Sequence, residues 1–245
     1  MSVWIVVAIV IEAAAATAWL FSMLSRRTTY AFFIGFNVLL PVALLFLSAP
    51  GALSWRGWIA SATLVIYLAD MNLVMLAWTG NTALPKLDRH LTKAERHILP
   101  VVMANACGWL YGLPFYFIAL RSGPFTWADG AGLSVYAAGT LIHVLADYQK
   151  RRFKRAPGNA GRLLDRGLWR LSRHPNYFGD FLIYAAWAAL AANPWAWLSP
   201  ATNLLQYVFD AIPKNEAWAA AKYGEAWADY AARTSRFVPW FPARA

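Results

Sequence analysis

The chain has 245 residues, 60% of them hydrophobic, 14 of them Trp and only 14% of them charged. This excludes a water-soluble globular domain, because the apolar runs are long enough to cross a hydrocarbon core of about 30 Å, which takes roughly 20 residues. The net charge of +10 does not indicate nucleic acid here, since the cations collect between apolar runs, where they set orientation and attract anionic lipid or an anionic cofactor.

The first apolar run, Val3–Leu24, has no basic leading end and no cleavage site after it, and Arg26-Arg27 sits on its far side. It is therefore expected to be a span, not a secretory signal. Further spans are expected at Tyr30–Leu47, Trp58–Trp78, Ile98–Leu120, Leu133–Tyr148 and Tyr177–Leu198, with a short seventh at Pro200–Ile212. If seven spans start outside, only Arg56 and Arg121 of the 22 basic residues lie outside. The expected fold is an all-α integral membrane protein of about seven transmembrane helices (six to seven), N-outside and C-inside. A cytoplasmic basic loop and an interfacial C-terminal helix complete it, in a single membrane domain.

The inner segment Lys86–Arg96 ends in Thr92-Lys93-Ala94-Glu95, which predicts a capping box opening the fourth helix. His90 and His97 flank this charged segment and are expected to be solvated. Pro100, Pro114 and Pro194 fall in spans, where a kink is the ordinary outcome. Cys107 has no second cysteine to pair with and no basic neighbour, so a buried inert thiol is expected. The four histidines (His90, His97, His143, His174) show no H-x-x-x-H spacing, so no metal is expected.

The largest polar stretch is Lys150–Arg173, with a turn at Pro157-Gly158-Asn159. The tail from Lys214 to Arg236 interleaves Ala217, Trp218, Ala221, Trp227 and Tyr230 with charge. It reads as a helix in the interface or folded back over the loop. Pro239-Trp240-Phe241-Pro242 ends it.

Five acids fall in or at the ends of spans, Glu12, Asp70, Asp147, Asp180 and Asp210. An ionised acid at mid-bilayer costs about 2.5–3.5 kcal/mol on insertion scales, so each needs a partner, water or a proton. Asp147 and Asp180 are shallow, near Lys150, Arg151 and the arginine loop, and suit ribose hydroxyls, an amide or an ion pair. Asp70 is deeper, and Tyr67 shares its face at three-residue spacing, so an acid and a phenol are available as proton donors. Glu12, alone among alanines, is a weaker third candidate. His143 lies one turn before Asp147 and is placed to join it.

The densest chemistry lies in Arg166-Gly167-Leu168-Trp169-Arg170-Leu171-Ser172-Arg173-His174-Pro175-Asn176-Tyr177-Phe178-Gly179-Asp180. No G-x-G-x-x-G follows a strand, so any dinucleotide phosphates would fall to forked guanidinium and ammonium donors. Lys154, Arg155, Arg162 and Arg173 are the candidates. Trp169, Tyr177 and Phe178 offer flat faces for stacking.

Arg173-His174-Pro175-Asn176-Tyr177-Phe178-Gly179-Asp180 resembles the C-terminal signature of the membrane steroid and sterol reductases, a family that includes steroid 5-alpha-reductases, C14 sterol reductases and bacterial relatives. Ala146-Asp147-Tyr148-Gln149-Lys150-Arg151-Arg152-Phe153-Lys154 and Lys222-Tyr223-Gly224-Glu225-Ala226-Trp227 resemble the same family. The likeness covers roughly residues 140–242. It implies NADPH as cofactor, with His174, Asn176 and Asp180 holding it, Tyr223 closing from the tail, and Glu216 and Tyr230 assisting. It also implies hydride transfer to a carbon–carbon double bond of a lipophilic enone or sterol-like lipid, with a side-chain proton donor. Residues 1–130 would then supply the substrate cavity and 131–245 the cofactor half, facing the cytoplasm from a bacterial inner membrane. Matching of the substrate-contacting pair to Tyr67 and Asp70 rests on no motif.

Two other readings account for part of the pattern. Isoprenylcysteine and phospholipid methyltransferases share a related His-Pro-x-Tyr-x-Gly signature but bind S-adenosylmethionine, which has no phosphates to neutralise. A non-enzymatic lipid-binding protein explains the charge but leaves Asn176 and Asp180 unexplained inside an apolar boundary.

Overall fold

The computed structural model describes residues 1–51, 53–79 and 91–241, and among these every regular element is helical. Lys86, Arg89, His90, Pro242 and Arg244 lie outside the described residues. Among the described residues four stretches are long and apolar enough to cross a membrane: Val3–Ser25, Tyr30–Ser48, Trp55–Leu76 and Lys93–Ala119. They correspond to the first four expected spans. The chain divides into two units, Met1–Asp129 with Trp187–Ser199, and Gly130–Ala186 with Pro200–Ala245.

In the first unit, α1 (Val3–Ser25) buries Val7, Ile11, Ala15, Ala18 and Ser22, three or four residues apart and hence on one face. Ile5, Ile9, Leu20, Phe21 and Leu24 are exposed, as on a helix whose outer face meets lipid. Glu12 is also exposed. The second expected span is two helices, α2 (Thr29–Asn37) and α3 (Leu39–Ser48), parted at Val38. Pro41 explains the break, since it brings no N–H and its ring crowds the carbonyl four residues back, at Asn37.

Helix α4 (Trp55–Thr79) is followed by α5 (Lys93–Asn105), which opens with the expected capping box. Glu95 N donates to Thr92 Oγ1 at 3.2 Å, and Thr92 N donates to Glu95 Oε2 at 2.7 Å. A π-helical turn, Ala106–Tyr111, leads into α6 (Leu113–Ala119). Pro114 lies three residues beyond it, and the wider turn makes room for a ring that would crowd an ordinary one. At Gly108 a Cβ would lie 2.4 Å from Ile11 Cγ1, so only glycine lets this turn meet α1. Cys107 is buried as expected.

The core of this unit centres on Trp187, whose Nε1 donates to Thr63 Oγ1 at 3.0 Å. Tyr67 meets its ring edge-on, with centroids 5.4 Å apart, and Phe115 packs at 5.2 Å. Arg56 and Arg121, expected in outer segments, enclose the buried Asp129. Arg56 donates to Asp129 Oδ1 and Oδ2 at 3.0 and 2.8 Å, and Arg121 donates to Oδ1 at 2.8 Å. Thr126 adds its backbone N–H and its hydroxyl to Oδ2. The hydrogen bond from Arg56 is the main force holding the Asp129 carboxyl far below the usual carboxylate range, against the opposing effect of burial.

The second unit is built on α7 (Trp127–Arg155) from Gly130 onward. This helix runs about two turns past the C-terminal end of the expected fifth span, so Lys150–Arg155 are helical, and the rest of the basic segment is loop apart from a 3₁₀ turn and one short helix. The turn at Pro157–Asn159 is present. Helix α8 (Leu168–Leu171) precedes α9 (Pro175–Ala191), with Pro175 at the first position, where its missing N–H is no loss. Helix α9 stops short of the expected Leu198, because Ala192 turns left-handed (φ 47°) and Pro194 opens a short 3₁₀ turn. Helix α10 (Leu198–Gln206), a π-helical turn (Tyr207–Ala211) and α11 (Ile212–Tyr223) follow without a break, then α12 (Glu225–Arg233).

Candidate functional site

The site in the second unit begins with a close contact between two helices. Gly139, His143 and Asp147 recur every four residues and share one face of α7. At Gly179 in α9 a Cβ would lie 2.5 Å from His143 N, and at Gly139 one would lie 2.8 Å from Gly179 O. With no side chain at either position the backbones touch, and the polar residues flanking them meet. His143 Nδ1 lies 3.0 Å from Asn176 O; a carbonyl only accepts, so Nδ1 carries the proton. Asn176 Nδ2 donates to Asp147 Oδ1 at 3.2 Å.

One turn along α9, Asp180 is only 3% exposed. Its Oδ2 accepts from Tyr207 Oη at 2.6 Å and from Asn203 Nδ2 at 3.0 Å. Its Oδ1 is buried and, among the described residues, has no hydrogen-bond partner. An orphan carboxylate oxygen in a buried setting is costly and calls for a donor. The π-helical turn at Tyr207–Ala211 precedes Pro213 as the earlier one precedes Pro114, and Tyr207 opens it.

Aromatic rings join this carboxylate to the loop. Tyr177 stacks on Tyr207 at 4.3 Å and His174 stacks on Tyr177 at 5.4 Å, both nearly parallel. Asn215 Nδ2 donates to Tyr177 Oη at 2.8 Å. His174 Nε2 lies 3.2 Å from Glu216 Oε1, which also faces Arg173 at 3.4 Å, while Glu216 Oε2 faces Arg236 at 3.4 Å. Burial pushes the His174 pKa down, outweighing Glu216, so His174 is neutral at neutral pH and donates from Nε2. Burial pushes Glu216 up, but the His174 hydrogen bond and the charge of Arg173 prevail and hold it ionised.

The tail folds back over the loop, the second of the two placements expected for it. Tyr230 Oη donates to Trp169 O at 2.5 Å, Ser172 Oγ to Phe237 O at 2.7 Å, and Arg173 N to Ser235 O at 2.8 Å. Trp169 is buried, its Nε1 donating to Ala146 O at 3.0 Å, with Lys150 over its ring. Gly167 adopts φ 65°, and a Cβ there would meet Gln149 Oε1 at 2.5 Å. Gln149 Oε1 accepts from Leu168 N at 2.9 Å, which pins the start of α8.

The structure thus brings together His143, Asp147, Asn176, Tyr177, Asp180, His174, Arg173 and Glu216. Trp169 and Tyr230 brace the segment that carries them. Tyr223 packs with Trp218 and Lys222 in α11, and Arg162 is exposed on the loop. Lys154 recurs one turn beyond Lys150, whereas Arg155 lines a separate groove with Tyr148, Arg151 and Arg152. In the first unit Tyr67 is buried, Asp70 half-buried and Glu12 exposed. Near Asp70, Asn72 and Asn37 exchange side-chain hydrogen bonds at 2.9 Å in each direction. Among the described residues no group of three or more His, Cys, Asp or Glu is placed to hold a metal.

Sequence reasoning missed Asn203, Tyr207 and Asn215, which complete the Asp180 surroundings. Their signal was an asparagine and a tyrosine four residues apart in an apolar stretch, where polar groups are expensive.

An all-helical chain with membrane-length helices and this buried cluster on the reductase-like signature is a membrane protein of the sterol reductase-like class. It belongs to the family described as "Protein of unknown function (DUF1295)", which it matches over residues 18–234. It is 31% identical over 132 residues to a Delta(14)-sterol reductase of Methylotuvimicrobium alcaliphilum, a match covering 46% of this chain and 29% of that one. It is 29% identical over 118 residues to the Delta(14)-sterol reductase of Arabidopsis thaliana, covering 43% and 31%. With the Delta(14)-sterol reductase ERG24 of Candida albicans it shares 27% over 149 residues, covering 54% and 32%. Each match spans about a third of the relative's length or less.

Proposed function

We propose that this protein reduces a carbon–carbon double bond in a lipophilic enone or sterol-like lipid, with NADPH as hydride donor. The observation that carries the reading is Asp180 Oδ1, a buried carboxylate oxygen with no partner among the described residues, fixed beside Asn176 and Asp147. A nicotinamide carboxamide or a ribose hydroxyl is a donor of the right kind for such an acceptor. The similarity to Delta(14)-sterol reductases over 43–54% of the chain supports the reaction class.

When bound, NADPH supplies a hydride to one alkene carbon. The chain's residues do the rest. Asp180, Asn176 and Asp147 orient the cofactor, His143 fixing Asn176 through its backbone carbonyl. Lys154, Arg162 and Arg173 balance phosphate charge, and His174 and Glu216 hold Arg173 in place. The second alkene carbon takes a proton from a side-chain acid, for which Tyr67 Oη and Asp70 are the first candidates and Glu12 the third. Seven spans, an outside N-terminus and a cofactor site facing the cytoplasm of a bacterial inner membrane complete the reading, on the strength of the basic-residue distribution.

The test is NADPH consumption by purified protein given a panel of sterol dienes and 3-oxo-4-ene steroids, with products weighed by mass spectrometry. NADPH deuterated at the transferred position should yield a product carrying one deuterium at a former alkene carbon. Unlabelled product, or no NADPH consumption across the panel, would count against it.

A further inference from the structure

Helix α7 carries a second polar feature that, apart from Arg155, the cofactor reading does not use. Leu141, Tyr148 and Arg155, with the adjacent pairs Val144-Leu145 and Arg151-Arg152 three or four residues from each, form one stripe along the helix. Leu141, Val144, Leu145 and Tyr148 are 66%, 37%, 38% and 52% exposed. The stripe is centred about 140° around the helix from the row of Gly139, His143 and Asp147, at about 100° per residue. Its charged end, with Tyr148, lines an open groove of about 490 Å³.

The order along the axis is what selects the occupant. An apolar row leads to an amphipathic aromatic ring and then to three arginines, over about 21 Å at 1.5 Å per residue. Tyrosine suits the boundary between hydrocarbon and headgroup, and guanidinium forks suit phosphate oxygens. Three other cations of the segment are engaged: Lys150 lies over Trp169, Arg166 over Phe153, and Arg173 faces Glu216. Among the described residues Arg151, Arg152 and Arg155 have no carboxylate or ring partner. A free nucleotide would use the charges alone and make no use of the leucines and valine, which belong to the expected fifth span and face hydrocarbon. A phospholipid covers both, its acyl chain along Leu141, Val144 and Leu145 and its phosphate among the arginines.

We propose that this stripe is a binding site for an anionic phospholipid, with the headgroup phosphate held by Arg151, Arg152 and Arg155. The groove shares no residue with the cluster around Asp180, and the proposal does not depend on the reductase reading.

The test is competition between phosphatidylglycerol and phosphatidylcholine for the detergent-purified protein, read by native mass spectrometry of retained lipid. Wild type should retain phosphatidylglycerol preferentially. R151Q/R152Q should lose about thirtyfold in that preference, two surface cations contributing about 1 kcal/mol each. R151K/R152K, which keeps the charge, should retain most of it, and an unchanged melting curve should show that R151Q/R152Q is folded. Neither inorganic phosphate nor NADPH should displace the lipid. An unchanged preference in R151Q/R152Q would overturn the proposal. So would displacement by NADPH, which would make the groove a cofactor phosphate site, or by inorganic phosphate alone.

Discussion

Tyr207 donates a 2.6 Å hydrogen bond to Asp180 Oδ2, while the buried Asp180 Oδ1 has no partner among the described residues. The tyrosine and Asn203 both use Oδ2, so together they leave the buried Oδ1 available as an acceptor. The phenol thus acts as a positioning group for the carboxylate. Tyr207→Phe should weaken NADPH binding by roughly tenfold, since a hydrogen bond to a charged group is worth about 1.5–3 kcal/mol and Asn203 remains. Asp180→Asn should weaken it further, because its NH₂ group cannot accept. Titration of the purified variants by calorimetry reads both, and equal affinities in wild type and Tyr207→Phe would refute the positioning role.

The contact at Gly179 makes a steric prediction. A Cβ there meets His143 N at 2.5 Å, so Gly179→Ala should push α7 and α9 apart and lower stability by about 1–3 kcal/mol, the usual range for overpacking. Gly158→Ala, which has open space around its added methyl, is the control and should melt like wild type. A melting temperature for Gly179→Ala equal to that of the control would mean that the helices do not touch there.

Asp129 and its two arginines form a buried ionic group in the first unit. Removing the acid strands Arg56, which is 3% exposed, and breaking a buried pair from one side costs about 3–5 kcal/mol. Asp129→Asn should therefore destabilise strongly in detergent unfolding. Arg121→Gln should cost less, because Arg56 still binds both carboxylate oxygens. The reverse order of the two losses would show that Arg121 is the principal partner.

His174 and Glu216 predict acid sensitivity. Burial lowers the His174 pKa below 6.5, and the His174 hydrogen bond and Arg173 hold Glu216 below 4.5 despite burial. Both values are depressed in the folded state, so each contribution is present above the unfolded pKa and is lost as pH falls through the folded one. The melting temperature should be level just above pH 6.5 and fall on acidification. In His174→Gln the first part of that fall should flatten, and in Glu216→Gln the part below pH 4.5. A melting temperature that rises on acidification in wild type would contradict the assignment.

The sequence made the helices of the first half and their approximate limits legible, because long apolar runs have few alternatives to helix in a membrane. The limits that failed were set by backbone chemistry that hydropathy does not register. Pro41 splits the second run, the left-handed Ala192 ends α9 early, and the strongly polar stretch Lys150–Arg155 continues α7. At the site, Asp147, Asn176 and Asp180 stood out because polar residues at an apolar boundary need a reason. Asn203 and Tyr207 did not, since their importance comes from α10 returning to Asp180, a tertiary fact. The charge count places Arg56 in an outer segment but does not register its pairing with Asp129. The Thr126-x-x-Asp129 pattern at the start of α7 was the available hint that an acid waited for it.

The central claim is that the cluster around Asp180 binds a reduced nicotinamide cofactor. Its most direct test is ligand-dependent thermal stabilisation of wild type and Asp180→Ala by NADPH, NADH and S-adenosylmethionine. A ligand at 100 times its dissociation constant adds about 2.7 kcal/mol of apparent stability. The account predicts a shift with NADPH in wild type and none in Asp180→Ala. A shift with S-adenosylmethionine alone, or an NADPH shift that survives in Asp180→Ala, would contradict it.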